Sequence, residues 1–72
     1  MKIEVGDIIK TGYRKLEVLQ VTDSVVHVCD IECRWLGKES YVLQAVINLC
    51  INKVWGLEKA TKQLDMSVLE EL

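Results

Sequence analysis

His27-x-Cys29-x₃-Cys33, with Cys50 further along, gathers the residue types that could ligate a metal or carry a nucleophile. Zinc wants four tetrahedral ligands at about 2.0–2.3 Å. In an extended chain, residues six apart lie about 20 Å apart at ~3.3 Å per residue, so His27 and Cys33 cannot share one ion. No Gly or Pro lies between them to fold the stretch back, and no Cys-x₂-Cys knuckle is present. A thiolate pair of His27 with Cys29 or Cys33 is opposed by Asp30 and Glu32, whose charges raise a thiol pKa. There is one histidine, no Gly-x-Ser-x-Gly elbow and no Gly-rich phosphate loop. The expectation is no metal, no cofactor and no catalysis, with the cysteines as small hydrophobes.

The remaining chemistry is recognition. Trp35, Tyr41 and Trp55 are the large aromatics expected to anchor an interface if exposed. In a chain without Phe they are equally the bulky fillers of a core. With Leu57, Leu64 and Val68 they make the candidate protein interface. Lys10, Arg14 and Lys15, and further on Arg34 and Lys38, form two local basic clusters. They are either ordinary turn charge or phosphate contacts. The net charge is −2, so the basic excess of a nucleic-acid module is missing and nucleic acid is the lesser expectation. Ala60…Leu64-Asp65-Met66-Ser67-Val68-Leu69 resembles a helix-turn-helix core. Its recognition helix would carry Glu70 and Glu71, the wrong sign for a DNA groove.

These groups must be held by a small body. Seventy-two residues make one domain, and a chain this short buries only about 60% of its unfolded surface. Half its residues are hydrophobic and its mean hydropathy is +0.17. Some aliphatic surface must stay exposed, which points to a protein partner or a homodimer. Met1-Lys2-Ile3-Glu4 lacks an apolar h-region, so no signal peptide is expected, and the count of three cysteines is odd. A reducing cytoplasm with free thiols is the expectation. Tyr41–Ile51 is interrupted by Gln44 and Asn48 and is shorter than the ~20 residues of a spanning helix, so no membrane segment is expected.

The elements follow from pattern. Asp7–Lys10 reads as a first strand, Thr11-Gly12-Tyr13 as a turn and Lys15–Val21 as a second strand. Thr22-Asp23-Ser24 is a polar break, after which Val25–Ile31 resumes the β-branched run. These two runs make the hairpin on which the chain is organised. Val28 and Ile31 are out of phase if both are core, which predicts a bulge at Cys29-Asp30 or the end of the strand there. Ser40–Leu43 reads as a short strand and Ala45–Lys53 as a helix, although strand periodicity fits that stretch too. After Gly56, the spacing of Leu57, Ala60, Leu64, Val68 and Leu72 predicts one amphipathic helix, or two split near 65–67.

Val5-Gly6-Asp7-Ile8-Ile9, Leu16–Val21 and Val25–Glu32 together resemble a small SH3-like barrel of the KOW and Tudor kind. The likeness extends to short uncharacterised proteins of phages and other mobile elements, which often follow such strands with a helix like Ile47-Asn48-Leu49…Lys53…Trp55. It covers Lys2–Ile31, about half the chain, and carries over no binding residues. It implies an α+β fold: a small antiparallel SH3-like sheet or barrel of three or four strands followed by one or two C-terminal helices. Residues 1–43 are then mainly β and 44–72 mainly α. The function implied is a non-catalytic protein-interaction module, a regulator or inhibitor of a host protein. The alternative is a nucleic-acid-binding module using the local basic patch.

Overall fold

The computed structural model describes residues 1–60. Leu64, Val68, the helical spacing beyond Ala60 and the helix-turn-helix-like stretch lie outside the described residues. The chain runs β1 (Ile8–Lys10), β2 (Lys15–Val21), β3 (Val25–Asp30), a single 3-10 turn (Arg34–Leu36), β4 (Lys38–Val42), α1 (Leu43–Ile51) and β5 (Gly56–Glu58). The five strands form one antiparallel sheet in the order β4-β3-β2-β1-β5. The fold is α+β as expected, but the sheet has five strands rather than three or four and stays open instead of closing into a barrel, with one α-helix among the described residues.

Threonines close both early hairpins. Thr11 Oγ1 accepts the N–H of Arg14 at 3.1 Å, and Thr22 Oγ1 accepts that of Val25 at 3.0 Å. The hydroxyl thus supplies the acceptor that a tight turn leaves its backbone donors seeking. Ile9, Leu16, Val18, Val26 and Val28 line the inner face of the sheet and are buried. Val46 and Cys50 of α1, one helical turn apart, cover them, with Ile3 alongside.

The phase slip exists, but not where the sequence placed it. Leu16↔Asp30, Glu17↔Cys29 and Val18↔Val28 pair without interruption, and the register shifts between Val18 and Gln20 on β2. Leu19 is the extra residue. The bulge lets Val18 and Val21 both pack toward the core and leaves Leu19 partly exposed. It also explains why β2 carries apolar residues on both of its nominal faces. The third strand simply ends at Asp30, a core-facing residue kept buried by ionic partners rather than by being apolar.

The helix begins directly from β4, two residues earlier than periodicity suggested. Val42 occupies its N-cap without a side-chain bond, and the Leu43 N–H donates instead to the Ser24 carbonyl at 2.9 Å. At the other end Lys53 takes a left-handed φ of 61°. Glycine is the usual residue there. Lys53→Gly is expected to relieve that strain and gain about 0.5 kcal/mol net of the extra unfolded-state entropy, read as a rise in urea midpoint.

Where a helix was expected from Leu57, Gly56–Glu58 is instead a strand on β1, with Leu57 beside Ile9. Ile9 is buried completely only because β2 and β5 flank it. A buried carboxylate fastens this return. Asp7 Oδ2 accepts from Lys59 Nζ at 2.6 Å and from the Glu4 N–H at 2.8 Å, while Oδ1 accepts the Ala60 N–H at 3.0 Å. Gly6, at φ 96°, passes so close that an added Cβ would sit 3.1 Å from that of Ala60.

Candidate functional site

The β1–β2 turn and the β3–β4 connection lie at the same end of the sheet, and Arg14 ties them together. Its Nε donates to Asp30 Oδ2 at 2.8 Å and its Nη2 to Glu39 Oε2 at 2.6 Å. Asp30 Oδ1 accepts the N–H groups of Glu32 and Cys33 at 2.9 and 3.0 Å, which shapes the chain as it leaves β3. Glu39 Oε1 accepts the Tyr41 hydroxyl at 2.9 Å. The Ile31 N–H donates to the Lys15 carbonyl at 2.9 Å. Two loops and three strands are thereby fixed by one guanidinium whose planar fork suits two carboxylates.

The charges in this network reinforce one another. Arg14 holds both Asp30 and Glu39 below the usual carboxylate range, and Glu39 and Asp30 in turn raise the Arg14 pKa. Burial, and then the hydrogen bond to Glu39, push the Tyr41 hydroxyl pKa up. On the outer face, Arg34 donates to Glu17 at 3.0 Å and reaches the Cys29 sulfur at 3.8 Å.

Three of the five basic residues expected to meet phosphate are engaged within the chain. Lys10 pairs with Glu58 at 3.3 Å, Arg14 with Asp30 and Glu39, and Arg34 with Glu17. Lys15 and Lys38 have no ion pair among the described residues. A shallow cleft of about 230 Å³ opens between Lys10, Arg14 and Lys15, with Glu32 on its rim. That carboxylate and the internal pairing leave the cleft without the concentrated positive field a polyanion needs.

The expected aromatic anchors separate. Tyr41 and Trp55 meet edge to face, ring centroids 6.0 Å apart, and both pack against the core. Leu57 also packs there. These three are core fillers, which is what a chain without Phe needs in order to fill the space under α1. Trp35, on the 3-10 turn, remains 77% exposed, with Leu36 beside it. Tyr13, which its sequence context marks only as a turn residue, is 88% exposed at the same end. Its position two residues after Thr11 in a polar hairpin tip was the available sign.

His27 and Cys29 lie on the outer face of β3, where His27 Nδ1 is 2.8 Å from Ser40 Oγ. Cys50 lies under the helix on the opposite face, and burial raises its thiol pKa. Among the described residues no three His, Cys, Asp or Glu side chains are grouped to hold a metal ion. No helix of these residues is long and apolar enough to cross a membrane. A wider open groove of about 580 Å³ runs past Cys50, Lys53, Trp55 and Leu57, with Met1 at its side. Among the described residues that line it there is no carboxylate.

No family model, no curated protein and no solved structure matches the chain.

Proposed function

We propose that the chain is a non-catalytic protein-interaction module that docks through the loop end of its sheet, with Trp35 and Tyr13 as anchors. One observation carries the reading: two large aromatics stand exposed on loops whose backbones are locked by the Arg14–Asp30–Glu39 network. Aromatic anchors on rigid supports lose little entropy on binding, which is how hot spots concentrate affinity. A regulator or inhibitor of a host protein, of the sort mobile elements encode, is the role that fits such a surface and the likeness in the first half of the chain. The SH3-like reading is supported by the return of the last strand to the first, β5 to β1. The nucleic-acid reading has less behind it, because most of the basic residues are engaged within the chain.

Capture from a host lysate tests this. The tagged protein is expected to retain a specific partner, and Tyr13→Ala with Trp35→Ala should weaken the complex by at least about 2 kcal/mol, roughly 30-fold. Both side chains are exposed, so the doubly substituted protein should keep the wild-type unfolding free energy within about 0.5 kcal/mol. Unchanged capture by that variant, or salt-sensitive retention on single-stranded nucleic acid in place of a protein, would overturn the proposal.

A further inference from the structure

Among the described residues, β4 is the outermost strand at one edge of the sheet, hydrogen-bonded to β3 on one side and with no strand on the other. Its five residues, Lys38-Glu39-Ser40-Tyr41-Val42, are all exposed or half-buried. Immediately before it stand Trp35 and Leu36, 77% and 53% exposed; at its far end stands Val42, 61% exposed. An exposed strand edge with apolar groups at both ends is a template for another strand.

We propose that the occupant of this edge is a second copy of the chain, paired antiparallel to β4 about a two-fold axis at Ser40. This rests on reading the Trp35 side of the molecule as a protein-binding surface, and adds a second copy of the chain as the occupant of the strand edge beside it. The charge pattern selects the register. With the axis at Ser40, Lys38 faces the partner's Val42, Glu39 faces the partner's Tyr41, and no like charges meet. Moving the axis to Glu39 sets two glutamates opposite each other, and moving it to Lys38 sets two lysines opposite; like charges directly across a ladder are destabilising. An axis at Tyr41 or Val42 leaves three residues or fewer of β4 in the new ladder.

The same axis accounts for the apolar groups. Each copy's Trp35–Leu36 turn comes toward Val42 of the other, so the surface is complementary to itself, as a two-fold interface must be. The ladder of Lys38, Ser40 and Val42 continues on the outer face. Both α1 helices fall on the same side of one continuous sheet that joins the five strands of each copy. Among the described residues the opposite edge offers a shorter template, since β5 has three residues and is fastened by the Asp7 tie.

Charge exchange across the Lys38–Val42 pair tests the register without touching the core. Wild type is expected to sediment as a dimer, with Trp35 fluorescence shifting on dilution. Val42→Lys should set lysine against lysine and raise the dimer dissociation constant at least tenfold. Adding Lys38→Glu to that variant should restore the wild-type dimer, because the introduced glutamate of each copy then faces the introduced lysine of the other. Circular dichroism and a urea midpoint confirm that each variant is folded. A monomeric wild type, a dimer indifferent to Val42→Lys, or a folded double variant that stays monomeric would each overturn the inference. Capture of a different protein by a monomeric wild type would do so too, while leaving the broader protein-interaction reading in place. A monomer that captures nothing removes both.

Discussion

Asp7→Ala is expected to lower the unfolding free energy by about 2–4 kcal/mol, because it strands the backbone donors that a buried carboxylate accepts and removes a partner of the half-exposed Lys59. The whole domain has about 4–11 kcal/mol to lose at ordinary per-residue stabilities. The Asp7 side chain is fully buried. Burial by itself pushes its pKa up, yet the Lys59 ammonium and the Glu4 and Ala60 N–H groups outweigh this and hold it below the ordinary value of 3.8. Removing the carboxylate strands two backbone donors and detaches Lys59 from its closest carboxylate partner. The first element to loosen is β5, so Leu57 and its neighbours on β1 should lose amide protection before β2 and β3 do. Asp7→Asn keeps an acceptor oxygen but not the charge, and should cost about half as much. An unfolding free energy for Asp7→Ala within about 1 kcal/mol of wild type, the range of an ordinary substitution, would show that the tie does not hold the sheet together.

Acid is expected to unfold the protein through the same carboxylates. Asp7, Asp30 and Glu39 all have folded-state pKa values below their ordinary 3.8, 3.8 and 4.5. A carboxylate with a depressed folded pKa contributes stability that is full above its unfolded pKa and disappears as pH falls through the folded one. The urea midpoint should therefore be flat from pH 7 to about 5 and decline steadily below about 4.5. Protonating Glu39 and Asp30 also frees Arg14, so the loops bearing Tyr13 and Trp35 should lose their fixed geometry over the same range. In the Asp7→Ala background the profile should be shallower, with the Arg14 network left as its main source. A wild-type midpoint that does not move between about pH 5 and pH 3 would contradict both ionic assignments.

The β2–β3 hairpin was legible because its signals are local. Two β-branched runs flank Thr22-Asp23-Ser24, and the threonine hydroxyl closes the turn from within. The helix was legible from the helical spacing of Leu43, Val46, Ile47, Cys50, Ile51 and Val54; the first four pack against the core, whereas Ile51 and Val54 are exposed. The bulge was legible only as a discrepancy. Periodicity shows that a residue too many exists somewhere, but a slip on either of two paired strands restores the same alignment of core residues. Only the register decides for Leu19 over Cys29-Asp30. β5 was missed because three residues cannot display a period and the strand they pair with lies at the other end of the chain.

The candidate site divides in the same way. Trp35 could be named from its type, but its exposure could not be separated from that of Tyr41 and Trp55, since burial depends on what α1 and the sheet leave open. Arg14 read as a free basic residue because its two carboxylate partners, Asp30 and Glu39, are distant in sequence and meet it only when the strands align. Side-chain period and turn chemistry, acting within a few residues, suffice for an α+β class, an early hairpin and one amphipathic helix. The strand order, the bulge, the buried Asp7 and Asp30, and the choice of outward-facing aromatics emerge only in the folded chain. Those depend on contacts between residues far apart in the chain, and local pattern contains no record of which distant partner each residue will find.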